Sequence, residues 1–350
     1  MPNTFYLRKP DDWHCHFRQG EFLKRTVNDT ASQFARAIIM PNLQPPITTV
    51  DQALTYRQQI LAVLNPTIDF TPLMTLYLTD QTTPALIEQA AKSPHIYACK
   101  LYPAGATTHS AAGVTDFSQL RPVFAAMQTM DLPLLIHGET THSAVDIFDR
   151  ERQFIEQYLV EILTDFPNLR IVLEHISTAF AAEFIRQAPA HVAATITAHH
   201  LWLNRNDLLV SGIKPHHYCL PIVKRAKDQQ ALIDAATSGN PKFFLGTDSA
   251  PHTQSTKESA CGCAGIYTAW NALPLYAQIF DQAQALDRLE NFASCFGAQF
   301  YQLPLNTTTI GLTRQSQTIP KQLTFGAQSV IPFMAGETLN WQVIPSMATS

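Results

Sequence analysis

The stretch LRIVLEHISTAFAAEFIRQAPAHVAATITAHH, residues 169–200, contains the repeating unit that decides the fold. Two apolar runs rich in Val, Ile and Leu, 169–176 and 192–200, enclose a segment, 181–188, whose apolar residues recur at three- and four-residue steps. The runs predict buried strands and the segment predicts an amphipathic helix. A strand, a helix and another strand in this order are typical of a parallel sheet.

The same alternation extends over most of the chain. Further strands are predicted at FYLRKPDDWHCH (5–16), ARAIIMPN (35–42), DFTPLMTLYL (69–78), IYACKLYP (96–103), LPLLIHGE (132–139) and KFFLGTDSAP (242–251), and further helices at 51–64, 83–92, 117–130, 160–166 and 227–238. Eight predicted strands that alternate with helices within about 250 residues match a (β/α)8 TIM barrel. A doubly wound sheet would have fewer strands and a glycine-rich phosphate turn, and no G-x-G-x-x-G follows the first predicted strand.

Beyond Pro251 the pattern changes. Helices are predicted at 266–280 and 286–301, and a tail rich in Thr and Gln begins at about Asn306. No low-complexity linker divides the chain. We therefore expect residues 1–350 to form a single (β/α)8 barrel domain, with the tail from about 306 as an extension.

Composition and charge narrow the class of protein. With 46% hydrophobic and 15% charged residues, the 350-residue chain is typical of a globular protein with a large core. The net charge is -4, and Lys and Arg are scattered, so no nucleic-acid partner is expected. The amino terminus lacks a charged leader followed by an apolar core, and no apolar run reaches the roughly 18 to 20 residues that span a membrane. Six cysteines are too few for a disulfide scaffold, which favours a cytoplasmic protein.

Chemically reactive side chains collect where the predicted strands end. In a (β/α)8 barrel these ends meet at one mouth. The residues in question are His14, His16, Asn42, Lys100, His137, His175, His199, His200 and Asp248. The spacing His14-x-His16 puts both imidazoles on one side of a strand. A lone histidine is more often an ordinary core or surface residue, but this combination predicts a metal site, since imidazole and carboxylate are suitable ligands.

Lys100 is unusual because it ends an apolar strand, where an ammonium would be costly to bury. A lysine with a lowered pKa can react with carbon dioxide, and the resulting carbamate could bridge two divalent cations. An ordinary lysine that binds an anionic substrate group is the alternative. The chemistry of the residue alone leaves both open.

Taken together, the motifs resemble a known family. The order His14-x-His16, Lys100, His137, His175 and Asp248 is similar to the signature of the amidohydrolase superfamily, which contains binuclear-metal (β/α)8 hydrolases. Within it, DDWHCHFR, IIMPNL, KLYPAGATT, HGE, LEHIST, TAHH and GTDSAPH resemble the short, single-domain bacterial dihydroorotases. The resemblance covers about Asp11 to Ala264.

The resemblance implies a metal centre and a reaction. His14, His16 and Asp248 would hold one Zn²⁺, His137 and His175 the other, and carboxylated Lys100 would bridge the two together with a hydroxide. The implied reaction is the reversible cyclisation of N-carbamoyl-L-aspartate to L-dihydroorotate in pyrimidine biosynthesis. Asp248 would be the general acid and base, which takes the hydroxide's proton during ring opening and passes it to the leaving nitrogen.

It also implies a substrate site. Arg18, Asn42 and His252 would bind the substrate carboxylate, Thr107 and Thr108 would close over it from a mobile loop, and the backbone of Leu220 and Ala264 would contact the ring. From the residues alone, the Arg18 guanidinium can bind a carboxylate through two N–H groups, but Arg18 could also be an ordinary surface residue. Asn42 could likewise have no role beyond initiating a turn. The loop GATTHS, 105–110, could likewise be a solvated polar loop.

Partners and rivals complete the expectations. The resemblance suggests a homodimer that acts on a small molecule. Another cyclic amidohydrolase, such as a hydantoinase or allantoinase, would use the same metals with a different specificity pocket. A non-catalytic barrel subunit is the alternative from another class, but such a protein would be expected to lose metal ligands, and all six positions are present here.

Overall fold

The computed structural model describes residues 3–344, and its centre is a barrel of eight parallel strands. Numbered in chain order after an outlying β1 (Thr4–Arg8), these are β2 (Asp11–Cys15), β3 (Arg36–Ile39), β4 (Thr71–Tyr77), β5 (Ile96–Leu101), β6 (Leu134–His137), β7 (Ile171–Glu174), β8 (Val192–Ile196) and β9 (Phe243–Leu245). Each strand pairs with the next in the chain. A parallel bridge between Cys15 and Ser249 joins the last strand to the first. The predicted (β/α)8 barrel is confirmed.

Helices connect the strands and surround the barrel. The α-helices are α1 (Leu23–Gln33), α2 (Val50–Val63), α3 (Pro84–Ala91), α4 (Arg121–Thr129), α5 (Arg150–Phe154), α6 (Val160–Asp165), α7 (Ala179–Gln187), α8 (Ala198–Trp202), α9 (Arg205–Leu209), α10 (Ala226–Ala236), α11 (Gln254–Lys257), α12 (Ala272–Gln282) and α13 (Phe296–Phe300). Shorter 3-10 helices lie at Gly20–Phe22, Phe117–Leu120, Pro215–His217 and Leu286–Arg288, and π-helical turns at Ile155–Leu159 and Asn291–Cys295. Threonine side chains cap α2, α3, α7 and α8.

Helix α1 was not predicted from the sequence. Its residues LKRTVNDTASQ include Thr, Asn, Asp and Ser, which are weak helix formers. Leu23, Val27 and Ala31 are nevertheless buried on one face of the helix. Tertiary packing therefore stabilises a helix that local propensity does not favour.

One apolar layer fills the lower part of the barrel. Each of the eight strands contributes one side chain to it, and these are Trp13, Ile38, Leu73, Ala98, Leu135, Val172, Ala193 and Phe244. Below the layer, Tyr301 follows α13 and stacks on Trp13, with ring centroids 4.5 Å apart. The barrel is thus closed at its amino-terminal end, and polar side chains are left to the opposite end.

The first predicted strand, 5–16, is in fact two strands in different sheets. Pro10 separates β1 from β2, and proline has no N–H to donate to a ladder. Strand β1 pairs antiparallel with β10 (Thr309–Thr313), which also pairs with β15 (Gln342–Ile344). The amino-terminal segment therefore leaves the barrel and joins the carboxy-terminal tail.

The tail itself contains short strands. Besides β10 and β15 these are β11 (Gln317–Thr318) with β14 (Thr338–Leu339), and β12 (Leu323–Phe325) with β13 (Gln328–Val330). The predicted single domain also includes residues 1–2 and 345–350, which lie outside the described residues. Over residues 3–344, no helix has both the length and the apolar character that crossing a membrane requires.

The seventh predicted strand was too long at its carboxyl end. Strand β8 ends at Ile196, and the Thr197 hydroxyl then accepts a hydrogen bond from the backbone N–H of His200. This cap starts α8, so His199 and His200 lie on a helix. Their placement at a strand end was wrong because a threonine cap interrupted the apolar run.

Candidate metal and substrate site

The strand period of two carries polar groups to the mouth of the barrel. Lys100, His137 and Glu174 each lie two residues beyond a member of the apolar layer, on β5, β6 and β7. Residues two apart on a strand share a face, so all three side chains point into the barrel above that layer. All three are at most 1% exposed.

The side chains of His14, His16 and Asp248 converge from the two strands that close the barrel. The Nε2 atoms of the two histidines are 3.2 Å apart, and Asp248 Oδ1 lies 3.0 Å from His16 Nε2 and 3.3 Å from His14 Nε2. Gly246 permits this approach, because a Cβ there would lie 3.1 Å from the Cβ of His14 and 2.8 Å from that of Thr195. Three potential ligand atoms therefore face one point.

His137 and His175 lie beside this group. Their ring centroids are 4.8 Å apart, and the His175 ring is 4.9 Å from that of His14. His175 has a φ of 42°, and its backbone N–H donates to the Thr195 hydroxyl at 2.7 Å. The chain turns sharply after β7, and a left-handed conformation in a non-glycine residue is typical of functional sites.

Side-chain oxygens lie close to the outer nitrogen of three imidazoles, and for His16 and His137 the contact is a hydrogen bond. His16 Nδ1 lies 2.8 Å from Asn42 Oδ1, His14 Nδ1 lies 3.1 Å from Glu174 Oε1, and His137 Nε2 lies 3.0 Å from Glu139 Oε2. A ring nitrogen that donates to such an oxygen leaves the lone pair on the other nitrogen free for a metal. Histidines that bind metal commonly have partners of this kind.

The protonation states also suit metal binding. Burial lowers the pKa of His16 to about 3 and lowers the pKa values of His14 and His137, and that of His175 falls well below its usual range. Burial acts to raise the pKa of Asp248, but the neighbouring His14 and His16 outweigh it and hold this pKa well below its ordinary value. Neutral imidazoles beside an ionised carboxylate are the forms that bind divalent metals.

Lys100 lies at the base of this group and is fully buried. Its Nζ contacts Glu174, whose other carboxylate oxygen faces His14. Burial lowers the pKa of Lys100 well below its ordinary value, an effect that Asp248 partly opposes. Carbamate formation requires an unprotonated amine, and burial shifts Lys100 toward that form.

The predicted substrate residues lie on the solvent side of the histidines. Arg18 Nε donates to the Pro251 carbonyl at 2.9 Å, and Arg18 Nη2 lies 3.2 Å from His252 Nε2. Asn42 Nδ2 donates to the carbonyl of Thr108 at 3.2 Å, which connects the 105–110 loop to the site. Arg18 has a φ of 65°, so its backbone is also held in the left-handed region.

One cavity joins the two groups. It is lined by His14, His16, Arg18, Asn42, Tyr102, Thr107, Thr108, His137, His175, Leu220, Asp248, Ala250, Ala264 and Gly265. His252 lines an adjoining cavity that shares Arg18. A larger cavity, of about 710 Å³, lies beside Lys9 and Trp270 near the amino-terminal ends of the strands. None of the clustered ligand residues in the described part of the chain lines it.

Two carboxylates of the site, Glu139 and Glu174, were not predicted from the sequence. Glu139 and Glu174 are carboxylates at strand ends, each within two residues of a predicted ligand, and that proximity was a usable signal.

A further group, His199, His200 and Cys219, also has closely spaced donor atoms. Both ring nitrogens of His200 are engaged there, by Thr197 at 2.8 Å and the Pro221 carbonyl at 2.9 Å, so this group is not suited to hold a metal.

Glu139 provides a test of the outer contacts. We expect Glu139→Leu to lower metal affinity by about 10- to 100-fold, because His137 would lose the acceptor that orients its ring. Glu139→Gln keeps an acceptor oxygen and should lose less. Metal competition with a chelator measures both, and wild-type affinity in Glu139→Leu would contradict this role.

Comparison with known proteins gives consistent matches over nearly the whole chain. The model of the Amidohydrolase family matches residues 11–311. Dihydroorotase from Teredinibacter turnerae is 59% identical over 343 residues, which cover 98% of this chain and 99% of that protein.

Solved structures agree with this match. The chain is similar to the crystal structure of dihydroorotase from Saccharomyces cerevisiae in complex with 5-fluoroorotic acid, with a TM-score of 0.90 and 38% identity over 99% of this chain and 100% of that one. L-hydantoinase from Arthrobacter aurescens shares the fold, with a TM-score of 0.79 and 16% identity over 97% of this chain and 82% of that one.

Proposed function

The chain belongs to the amidohydrolase family, among its dihydroorotases, and we propose on this premise that it interconverts L-dihydroorotate and N-carbamoyl-L-aspartate with two divalent metal ions. The main support is the convergence of His14, His16 and Asp248 within 3.3 Å of one another, beside a cavity that Arg18 also lines. A metal-ligand cluster next to a guanidinium suits a cyclic amide that carries a carboxylate.

The donor set fits zinc. His14, His16 and Asp248 would hold one ion, His137 and His175 the other, and carboxylated Lys100 would bridge them. Nitrogen and oxygen donors in a buried site suit Zn²⁺, and the free lone pairs left by the outer contacts support the assignment. When bound, the metal would supply a nucleophile at neutral pH and polarise the scissile carbonyl.

Asp248 would move the proton. Its carboxylate is ionised at neutral pH and faces the same point as the two histidines. In ring opening it would take a proton from the attacking water and deliver it to the leaving nitrogen. In cyclisation it would take the proton that the attacking nitrogen loses and deliver it to the departing oxygen. One fixed carboxylate within reach of both atoms serves both directions.

Other side chains would bind and enclose the substrate. Arg18 and His252 are in contact at the cavity wall and would bind the substrate carboxylate, together with the amide of Asn42. Thr107 and Thr108 would hydrogen-bond the bound substrate and exclude water. The hydrogen bond between Asn42 and the Thr108 carbonyl would couple closure of the loop to the position of Asn42 beside the substrate carboxylate.

The proposal includes a cytoplasmic location and a homodimer. The six cysteines, all within the described range, are free thiols, which supports a reducing compartment such as the cytoplasm.

Leu209, Val210 and Ile213 are 53%, 56% and 81% exposed and form an apolar patch. A second copy of the chain could bury such a patch, which supports a homodimer.

A substrate comparison tests the proposed activity. The metal-loaded enzyme should hydrolyse L-dihydroorotate with a higher kcat/KM than hydantoin or allantoin, because Arg18 and His252 offer a carboxylate site that those two compounds do not use. Preference for hydantoin or allantoin would overturn the proposal. No turnover of any of the three after metal reconstitution would favour a non-catalytic barrel.

A further inference from the structure

Lys257 is a buried lysine next to the proposed substrate cavity. It ends α11 and is 3% exposed. Its Nζ donates to three backbone carbonyls, those of Tyr218 at 2.8 Å, Cys263 at 2.8 Å and Gly265 at 2.9 Å. An ammonium has three N–H donors, so every donor is used. Such complete pairing offsets the cost of burying the charge.

The three carbonyls belong to the two segments that carry the proposed backbone contacts to the substrate ring. Cys263 and Gly265 flank Ala264 on both sides, and both of their carbonyls point at Lys257. The carbonyl of Ala264 is directed elsewhere: the Thr108 hydroxyl donates to it at 3.1 Å, and His252 Nε2 lies 3.1 Å from it. Lys257 therefore fixes the orientation of the peptide groups on either side of Ala264.

The second segment is attached to the first at the same place. Tyr218 lies two residues before Leu220, and its carbonyl accepts from both Lys257 and the backbone N–H of Gly265, the latter at 3.0 Å. Gly265 has a φ of 151°, and a Cβ there would lie 2.4 Å from the carbonyl oxygen of Ala250. Only glycine allows this close approach, so the junction depends on one glycine and one ammonium.

We propose that Lys257 is a positioning residue for substrate recognition, which holds the 218–220 and 263–265 segments so that Leu220 and Ala264 face the substrate ring. The inference rests on the proposed function, because the ring contacts are part of it. Among the contacts of Lys257 in the described structure, none is with a proposed metal ligand. Its role should therefore be separable from metal binding.

A purely structural lysine is the competing explanation, and Lys242 offers a matched control. Its Nζ also donates to two backbone carbonyls, those of Arg186 and Ala188, just before β9 begins. That position lies at the amino-terminal end of the strands, away from the cavity. Lys242→Met removes two lysine-to-carbonyl hydrogen bonds at a partly exposed position, without touching the proposed substrate segments.

The experiment compares Lys257→Met, Lys257→Gln and Lys242→Met with the wild-type enzyme. For each, it measures kcat and KM for dihydroorotate, metal content, thermal unfolding, and hydrogen exchange of the 218–220 and 263–265 peptides. We expect Lys257→Met to raise KM about tenfold or more, with a smaller change in kcat and unaltered metal content. Both peptides should exchange faster. Lys257→Gln, which keeps part of the donor set, should lie between, and it substitutes for the Met variant if that variant does not fold.

The outcomes separate the inference from the function on which it rests. Wild-type KM and unchanged exchange in both Lys257 variants would overturn the inference, as would an equal rise in KM in Lys242→Met or a loss of metal from the Lys257 variants. If the wild-type enzyme does not turn over dihydroorotate, the proposed function fails by itself. The exchange data would then still show whether Lys257 holds the two segments.

Discussion

Asp248→Asn should lower dihydroorotate turnover in both directions by about 10²- to 10⁴-fold, while the protein keeps much of its metal. Asparagine retains an oxygen where Asp248 Oδ1 faces His14 and His16 at 3.3 and 3.0 Å, so a ligand atom remains. An amide cannot accept the proton that the carboxylate would carry to the leaving nitrogen. The change therefore removes proton transfer more than metal binding.

The control for this substitution is Asp281→Asn, which changes a carboxylate that pairs with Arg314 away from the cavity. We expect wild-type turnover there. The measurement is initial rates for ring opening and for cyclisation, with metal content determined on the same samples. Rates close to wild type in Asp248→Asn would remove Asp248 from the proton transfer, and a rate loss that only follows metal loss would make it a ligand alone.

Lys100→Ala should lose both bound metal and activity. Lys100 is fully buried, and burial lowers its pKa, which favours the neutral amine that the proposed carbamate requires. Alanine would remove the bridging oxygens and leave Glu174 without its contact to Nζ. Adding a short carboxylic acid should restore part of the metal content and activity, because its two oxygens can occupy the place of the carbamate.

Lys242→Ala serves as the control for loss of a lysine, and it should keep both metal and activity. Metal analysis and turnover, each with and without the added acid, measure the effect. Full metal content in Lys100→Ala would contradict the bridging role. A density map of the metal-loaded enzyme with unmodified Lys100 beside two metals would exclude the carbamate directly.

Much of the fold could be predicted from the sequence because buried positions recur with the period of the strand or helix that contains them. In a parallel barrel the strands are covered on both faces and read as apolar runs, as in 169–176 and 192–200, with amphipathic helices between them. A polar residue at the end of such a run is conspicuous. Lys100, His137 and Asp248 stand out in this way and are predicted site residues from the sequence alone.

Two predictions were wrong, one because distant segments pair and one because a local helix cap interrupts an apolar run. Strand β1 pairs with β10, about 300 residues later. Pro10 is a local signal that the first predicted strand is interrupted, but no local pattern indicates the partner of β1. The Thr197 cap that places His199 and His200 on a helix was likewise hidden by an apolar run. Local hydrogen bonding took precedence over the apolar pattern there.

The sequence indicates the supporting residues of the site less clearly than its expected ligands. Glu139 and Glu174 lie near predicted ligands in the sequence, but the fold of the barrel determines which imidazole each carboxylate faces. Lys257 lies in the polar stretch TQSTKES, which reads as exposed surface. Its burial is set by three carbonyls from two other loops, and these meet only in the folded chain.

The most direct test is a metal titration of the metal-free protein, in the presence of bicarbonate, with hydrolysis of L-dihydroorotate as the readout. We expect activity to rise with added Zn²⁺ and to level off near two ions per chain. A plateau near two ions without dihydroorotate turnover would contradict the proposed reaction, and full activity without added metal would contradict the metal centre itself.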